Sequence, residues 1–554
     1  MIQFQEDKSD RRLEILKRKE EEDSAKIISD KYGLPYLDLN IFPVEPDALG
    51  LVSLERAVGA EMAVIQMTGK KLKIAVRNPQ KEETKSTLKI LERDGYAYDL
   101  YMVSPQGLRR AWEFYEKIKP HEEEEAGVTS VRSEKISEIR KSVKNLEELK
   151  NAIEKKPEGG ASEVLEIILA GALALKASDI HVEPQKDKTR LRYRLDGILQ
   201  EAAELEKKLS LLLLSRVKLL SELKLNVHNK AQDGRFTIKI EKTEIEVRSS
   251  IMPGPDGENI VLRILDPETL RVKFEELGMQ SEVVKIMEKE LKKPNGMILT
   301  TGPTGSGKTT TLYAFLNKIQ SPEIKVITLE DPIEYHLPGI EQTQIDEEKG
   351  YGFAEGLRSS LRQDPDVILV GEIRDKDTAE TALHASLTGH LVFSTLHTNN
   401  AAGTIPRLLD LGVKPAVIAP ALNIAMAQRL VRKLCVDCRK KTELSLEKEK
   451  NILEKLASFP KNVPLPEKSQ WNIFEADKNG CSGCHQGYKG RAGVYEIILI
   501  DENMESLIMK EPSEFEIKKA ALVQGRLNMN QDALLKILSG ITDFSEVERV
   551  VAED

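Results

Sequence analysis

The sequence predicts an α/β fold in several domains, with a parallel sheet in the C-terminal half, and three observations carry that reading. From about Phe274 onward the chain alternates strand, loop and helix, and each strand ends in polar residues, as a parallel sheet with chemistry at its strand ends requires. A glycine-rich loop, Gly302-Pro303-Thr304-Gly305-Ser306-Gly307-Lys308-Thr309-Thr310, directly follows the apolar run Met297-Ile298-Leu299. The chain has 554 residues, too many for one hydrophobic core, so about three to five domains are expected.

In chain order, residues 1–24 are dominated by Lys, Arg, Glu and Asp with a weak helical pattern from Leu13, Ile15 and Leu16, which reads as a solvated helix or tail. Residues 25–118 read as a small α/β domain: a helix running into Tyr32-Gly33-Leu34-Pro35-Tyr36-Leu37, a strand over 71–76, a turn at Asn78-Pro79, then more helix. Residues 119–160 open with His121-Glu122-Glu123-Glu124-Glu125 and stay rich in Lys, Glu and Ser to Gly159-Gly160. They hold too little apolar surface for a core of their own and read as a linker, helical in part.

Residues 161–270 read as a second small α/β domain. A helix with Val164, Leu165, Ile168 and Leu169 leads into Ser178-Asp179-Ile180-His181-Val182-Glu183, and the strand over 190–195 alternates with period two, placing Arg190, Arg192 and Arg194 on one face. Strands over 235–240 and 243–247 form a hairpin around Glu241-Lys242, and 259–265 adds another. A solvated strand face accounts for these arginines as well as a functional role does at this point. In the final domain, 271–554, strands are expected at 297–299, 324–328, 366–370 and 390–395, with a cysteine module at about 430–498 and helices over 500–554. No internal repeat is visible.

Hydrophobic residues make up 40% and charged residues 31%, with net charge −9. This mild acidity argues against a nucleic-acid partner. The longest nearly uncharged stretch, 415–428, is too short to span a bilayer, and no apolar signal segment opens the sequence. A cytoplasmic protein is expected, with any membrane role indirect.

The loop from Gly302 to Thr310 has the form that wraps a triphosphate. Small residues let backbone N–H groups approach the phosphates, Lys308 supplies charge, and the Thr309 hydroxyl is the expected Mg²⁺ ligand. Hydrolysis needs carboxylates nearby to hold the metal and orient water, and the strand ends supply Glu330 and Glu372. The Asp usual before the second of these is replaced by Gly371. His390 and His397 flank one strand, and His397, at its C-terminal end, is the expected phosphate neighbour. The four cysteines form two C-x-x-C pairs, Cys435 with Cys438 and Cys481 with Cys484. Two such pairs complete a tetrahedral thiolate set for a structural Zn²⁺, disulfides being the alternative that a cytoplasmic setting disfavours.

These motifs together resemble the secretion ATPase superfamily, the motors of type II secretion and type IV pilus assembly. Residues 327–335 are similar to its aspartate box. Leu361-Arg362-Gln363-Asp364-Pro365-Asp366 and Gly371-Glu372-Ile373-Arg374-Asp375 are similar to its Walker B region, in which Gly at that position is usual, and 388–399 to its histidine box. Residues 177–184, Gln232-Asp233-Gly234-Arg235 and Gly487-Tyr488-Lys489-Gly490-Arg491 match as well. The resemblance implies a RecA-like ATPase domain at 271–554, preceded by a PAS-like second domain at 161–270 and a partner-docking MshEN-like domain at 25–118. It implies Glu330 as the catalytic carboxylate, Glu372 near Mg²⁺, and Arg235, Arg248 and Arg263 reaching the nucleotide from the second domain. It implies a homo-hexamer that hydrolyses ATP and acts on an inner-membrane platform protein, with docking adaptors reached through the N-terminal domain. The cysteine module and the extra N-terminal domain favour assembly over retraction, with pilus assembly the first reading, type II secretion the alternative and a non-hydrolysing nucleotide-binding scaffold a more distant one. Some N-terminal domains of this family bind cyclic di-GMP through an arginine-leucine-glycine motif. Arg11-Arg12-Leu13-Glu14 lacks the glycine, so docking to a membrane partner is expected instead.

Overall fold

The computed structural model describes residues 20–551 except 40–41, 43, 69, 94, 117–132, 156–159, 241–242, 268–271 and 462. The expectations for residues 1–19, for the acidic run at 121–125 and for the Glu241-Lys242 turn lie outside the described residues. The chain forms two compact units, 1–127 and 128–554.

In the first unit, β1 (Met62–Thr68) pairs antiparallel with β2 (Lys71–Val76), and β2 pairs parallel with β3 (Ala97–Met102). A parallel neighbour requires a crossover, which helix Glu82–Arg93 supplies, burying Leu88 and Leu91 against Ile74 and Val76. The other face of the sheet buries Ala63, Ile65 and Ala75 against Leu108 and Ala111 of helix Pro105–Glu113. Ser104 caps that helix by accepting from the Gly107 N–H at 2.9 Å.

The second unit contains two sheets. The first has six antiparallel strands in the order β6-β5-β4-β9-β8-β7. They are β4 (Asp179–Pro184), β5 (Lys188–Leu195), β6 (Ile198–Glu206), β7 (Gln232–Ile240), β8 (Thr243–Gly254) and β9 (Gly257–Leu265). Period-two alternation turns Ile180, Val182, Leu191, Tyr193, Val247 and Leu262 inward against helices Gly160–Ala174 and Lys207–Leu220 and leaves the charged residues on the opposite face. Residues 133–155 are more than a solvated linker. Helices Ser133–Ser142 and Leu146–Glu154 bury Ile136, Leu149 and Ile153 in this same core, apolar content enough to join a neighbour though not to form a core alone.

The second sheet has the order β12-β11-β13-β14-β10-β15-β18. Strands β10 (Gly296–Thr301), β11 (Val326–Glu330), β12 (Glu341–Gln344), β13 (Val367–Val370), β14 (Leu391–Leu396) and β15 (Leu422–Leu434) run parallel, and β18 (Tyr488–Leu499) closes the edge antiparallel to β15. Helices cover both faces, so β10, β11, β13 and β14 are buried along their whole length, as continuous apolar runs predict. The segment between Cys438 and Cys481 is not one long loop. It carries helix Leu446–Ala457 and a two-stranded ribbon of β16 (Lys440–Lys441) and β17 (Phe474–Glu475). Ile452, Leu456 and Ile473 pack there on Leu534, Ile537 and Leu538 of helix Met529–Leu538. Among the described residues no helix is long and apolar enough to cross a membrane.

Candidate nucleotide site and metal centre

The C-terminal ends of β10, β11, β13 and β14 converge, and the predicted phosphate loop lies among them. β10 ends at Thr301, and helix Lys308–Ile319 starts at Gly307. Gly302, Gly305 and Gly307 hold φ of 145°, 80° and 87°. Their uses differ. A Cβ on Gly302 would lie 2.5 Å from the Gln428 carbonyl oxygen and one on Gly307 2.9 Å from Gln428 Nε2, whereas one on Gly305 meets open space. Two glycines therefore let the loop seat on β15, and the third leaves the backbone open to a ligand. Lys308 Nζ donates to the Gly302 carbonyl at 2.9 Å and to the Pro303 carbonyl at 3.3 Å, and its pKa is held below the ordinary lysine value by burial, against the pull of nearby Glu372. Thr309 is exposed on the first turn of the helix, its hydroxyl open to a metal, with Thr310 half-buried beside it and Pro303 and Thr304 exposed in the loop; Ser306 is buried.

Glu372 gathers the predicted cluster. One carboxylate oxygen binds Arg374, the other lies 3.2 Å from His397 Nε2, and Arg374 also approaches Asp331 at 3.7 Å. His397 directly follows β14 at its C-terminal end. His390 sits at the opposite end of β14 and bonds the Ala385 carbonyl at 2.9 Å, a structural task. Gly371 has a physical cause. Its N–H donates to the Leu329 carbonyl at 2.8 Å, and a Cβ would come within 3.0 Å of that oxygen, so a side chain here would crowd β11, and the carboxylate of this segment is on the next residue, Glu372.

Glu330 and Glu334 divide. Glu330 is only 3% exposed, and its carboxylate accepts from Thr328 Oγ1 at 2.6 Å, Gln342 Nε2 at 3.0 Å and the Tyr313 hydroxyl. Glu334, four residues on, has a buried oxygen without a hydrogen bond that lies 3.5 Å from Arg248 Nη1. Burial pushes its carboxyl pKa up, only partly offset by Arg248 and Arg263. Glu334 thus keeps a buried oxygen without a hydrogen bond and a raised pKa, whereas Glu330 already accepts three hydrogen bonds.

The arginines form one cross-strand row. Arg194, Asp179, Arg263, Arg248 and Arg235 stand opposite one another on β5, β4, β9, β8 and β7. Arg248 donates to the Ile333 carbonyl at 2.6 Å and to Glu246 at 2.9 Å, Arg263 donates to Asp179 at 3.0 Å, and Arg235 reaches Glu246 at 3.7 Å. Adjacent arginines repel unless an anion lies between or above them. Arg190 and Arg192 instead close on Glu183, the solvated-face reading for that pair. The sequence reading did not single out Glu334, Arg374, Gln428 or Arg429. Arg429 donates to the Asn399 carbonyl at 3.0 Å beneath the phosphate loop, and its only signal is the β10–β15 pairing.

The four cysteines converge. All four sulfurs lie within 4.8 Å of one another, with Cys435 to Cys481 at 3.8 Å and Cys438 to Cys484 at 3.6 Å. These distances exclude a disulfide, whose S–S bond is about 2.0 Å, and match the roughly 3.8 Å edge of a tetrahedron with metal–sulfur bonds of about 2.3 Å. The donor set fits a thiolate-bound metal ion.

The family model described as Type II/IV secretion system protein matches residues 154–549, and an MshEN domain matches 32–121. The chain is 36% identical over 538 residues to the type IV pilus assembly ATPase PilB of Myxococcus xanthus, covering 97% of this chain and 92% of that protein. It is 42% identical over 408 residues to type II secretion system protein E of Pseudomonas aeruginosa, covering 74% of this chain and 78% of that protein. Among solved structures the ATPase DotB of Legionella pneumophila superposes with a TM-score of 0.50 at 22% identity, covering 70% of this chain and 94% of that one, a likeness of fold alone. With the phosphate loop, its carboxylates and the cysteine tetrad in one unit, and a family model spanning most of the sequence, the chain belongs to the type II/IV secretion system protein family.

Proposed function

We propose that this chain is an ATP-hydrolysing motor for type IV pilus assembly, working as a homo-hexamer on the cytoplasmic side of the inner membrane through a platform protein. The observation that carries the hydrolysis reading is the arginine row of the second domain meeting the acidic segment after β11. Arg248 lies 3.5 Å from Glu334, which follows β11, and the same sheet carries the phosphate loop with Lys308 after β10 and Glu372 after β13. Lys308 binds phosphate, and Glu334 orients and deprotonates water. Arg235 and Arg263 stabilise charge developing on the phosphate, a finger-like role supplied by the chain's own second domain. Mg²⁺ would be held by Thr309 and Glu372 and would neutralise phosphate charge, and Zn²⁺ would be held by Cys435, Cys438, Cys481 and Cys484 as a structural staple. Glu330 braces Tyr313 on the loop's helix and keeps the strand end in place.

Pilus assembly is the first reading on one relative, the pilus assembly ATPase of Myxococcus xanthus, which matches 97% of the chain, the N-terminal unit included. A second pilus assembly ATPase, from Acinetobacter baylyi, matches 70% of the chain at 42% identity, level with the secretion relative at 74% and 42%, and type II secretion is therefore the second reading. The N-terminal unit is the candidate adaptor-docking module. Deleting the gene and restoring it with wild type or Lys308→Ala tests both points. Surface pili should return with wild type only, and loss of exoprotein secretion with pili intact would transfer the chain to secretion.

A further inference from the structure

We infer that Asp196 is a positioning residue, which docks the β5–β6 edge of the arginine sheet on the cysteine knuckle and so holds Arg248 and Arg263 toward Glu334. The inference rests on the reading of Arg235 and Arg263 as phosphate partners, with Arg248 as the contact that tethers their sheet.

Asp196 and Gly197 form the two-residue turn between β5 and β6, with φ of 47° and 87°. Positive φ at both central residues is the hairpin geometry that Asp-Gly suits. Asp196 Oδ2 accepts a hydrogen bond at 2.9 Å from the N–H of Gly490, across the boundary between the two sheets. Gly490 belongs to Gly487-Tyr488-Lys489-Gly490-Arg491, a string that the sequence singled out and that the nucleotide chemistry does not use.

The knuckle is held in the frame of the phosphate loop. Cys435 N–H donates to the Gly487 carbonyl at 2.8 Å, and the Tyr488 hydroxyl donates to Asp543 at 2.8 Å. The Arg432 guanidinium lies 3.8 Å over the Tyr488 ring. Arg432 stands on β15, the strand whose Gln428 and Arg429 underlie Gly302. On the other side, Asp196 follows Arg194, the first arginine of the row, by two residues. The sheet is thus tied to the ATPase frame near one edge by Asp196 and toward the other by Arg248. A single tie leaves the sheet free to pivot in every direction about it, and a second restricts that motion to rotation about the line joining the two, along which the row faces Glu334.

The test compares Asp196→Gly, Asp196→Asn and Arg248→Ala in the full-length protein, reading kcat and KM for ATP, ADP affinity, and hydrogen exchange of the 486–491 peptide. Glycine keeps the turn and removes the acceptor, while asparagine keeps both. Losing one hydrogen bond to a charged group shifts the docked population by about tenfold or more. We therefore expect Asp196→Gly to lower kcat about tenfold with ADP affinity within about twofold of wild type and faster exchange at 486–491. Asp196→Asn should restore most of both. Wild-type kcat in Asp196→Gly alongside an inactive Arg248→Ala overturns the role of Asp196 and spares the arginine reading. Wild-type kcat in Arg248→Ala overturns the arginine reading itself. Equal impairment in Asp196→Asn and Asp196→Gly also overturns the inference, because the acceptor would then not be the cause.

Discussion

Replacing Glu334 with glutamine separates chemistry from scaffolding at this site, because Glu330 four residues earlier provides the contrast. Glu334 has one buried oxygen without a hydrogen bond, facing Arg248 at 3.5 Å, so an amide of the same shape fits without orphaning a donor. Losing a general base costs about a hundred- to ten-thousand-fold in rate, or about 3–5 kcal/mol of barrier. Turnover should fall by that factor while ADP affinity and thermal midpoint stay close to wild type. Burial raises the Glu334 carboxyl, so wild-type turnover should also show an acid limb above the ordinary glutamate range. Glu330→Gln should behave in the opposite way. Its carboxylate accepts from Tyr313, Thr328 and Gln342, and an amide nitrogen there leaves at least one buried donor unpaired, at about 1–3 kcal/mol. The midpoint should drop, and nucleotide affinity should weaken as Tyr313 and its helix loosen. Phosphate release, calorimetric ADP titration and thermal melts read all three quantities. Wild-type turnover in Glu334→Gln refutes the assignment. A fully stable Glu330→Gln that binds nucleotide and does not turn over returns the chemical role to Glu330.

Lys308→Ala should abolish ADP binding in the same titration, since no other lysine stands in the loop. Elemental analysis should find about one zinc per chain, and chelation should lower the melting point without exposing a disulfide; two disulfides by thiol titration would refute the tetrad. Glu546→Gln should destabilise the unit by about 3–5 kcal/mol, because Arg432, bound to Glu546 at 2.7 and 2.9 Å, would be left buried without its charge partner. Burial alone would raise the Glu546 carboxyl, but Arg549 and Arg432 outweigh it and hold the pKa below 4.5. Its contribution to stability is therefore present above that value and lost as pH falls through the lower folded pKa, a limb that the variant should lack. Arg235→Ala should keep ADP affinity and lose turnover, and retained turnover would remove Arg235 from the row's function.

The strands at 297–299, 324–328, 366–370 and 390–395 were legible because a buried parallel strand is a short apolar run, and so were the residues that follow their C-terminal ends, Lys308, Glu372 and His397. β12 was hidden because Glu341-Gln342-Thr343-Gln344 has no apolar residue; it pairs at the sheet edge through its backbone and the Gln342 bond to Glu330. β15 was hidden because helix Pro415–Ala421 and the strand after it share one apolar stretch in which period three and a half and period two cannot be told apart. The same ambiguity reached the site. Acidic residues crowd the segment after β11, and nothing local says that Tyr313 and Gln342 saturate Glu330 while Glu334 turns toward the second domain. The cysteine tetrad was fully legible, since spacing and number decide it. The helix between its halves was not, because it buries only Ile452 and Leu456 among charged neighbours.

The three arginines that the family resemblance treated alike are not equivalent in this geometry. Arg248 is spent on Ile333, Glu246 and Glu334, and its side chain is three-quarters buried, so moving it breaks several contacts at once. Arg235 and Arg263 are 71% and 58% exposed and each hold one acidic partner. The Arg235–Glu246 pair is exposed and worth little, so Arg235 can leave it for a phosphate at small cost, whereas Arg263 pairs with the buried Asp179 and leaves it only because Arg194 also holds that carboxylate. The row therefore combines a tether at Arg248 with one freely mobile charge and one more firmly held. A tether at Arg248 alone would let the sheet pivot and swing Arg235 and Arg263 away from the acidic segment, and the proposed anchor at Asp196, near the far edge of the same sheet, would limit that pivot, which is the consequence that Asp196→Gly tests.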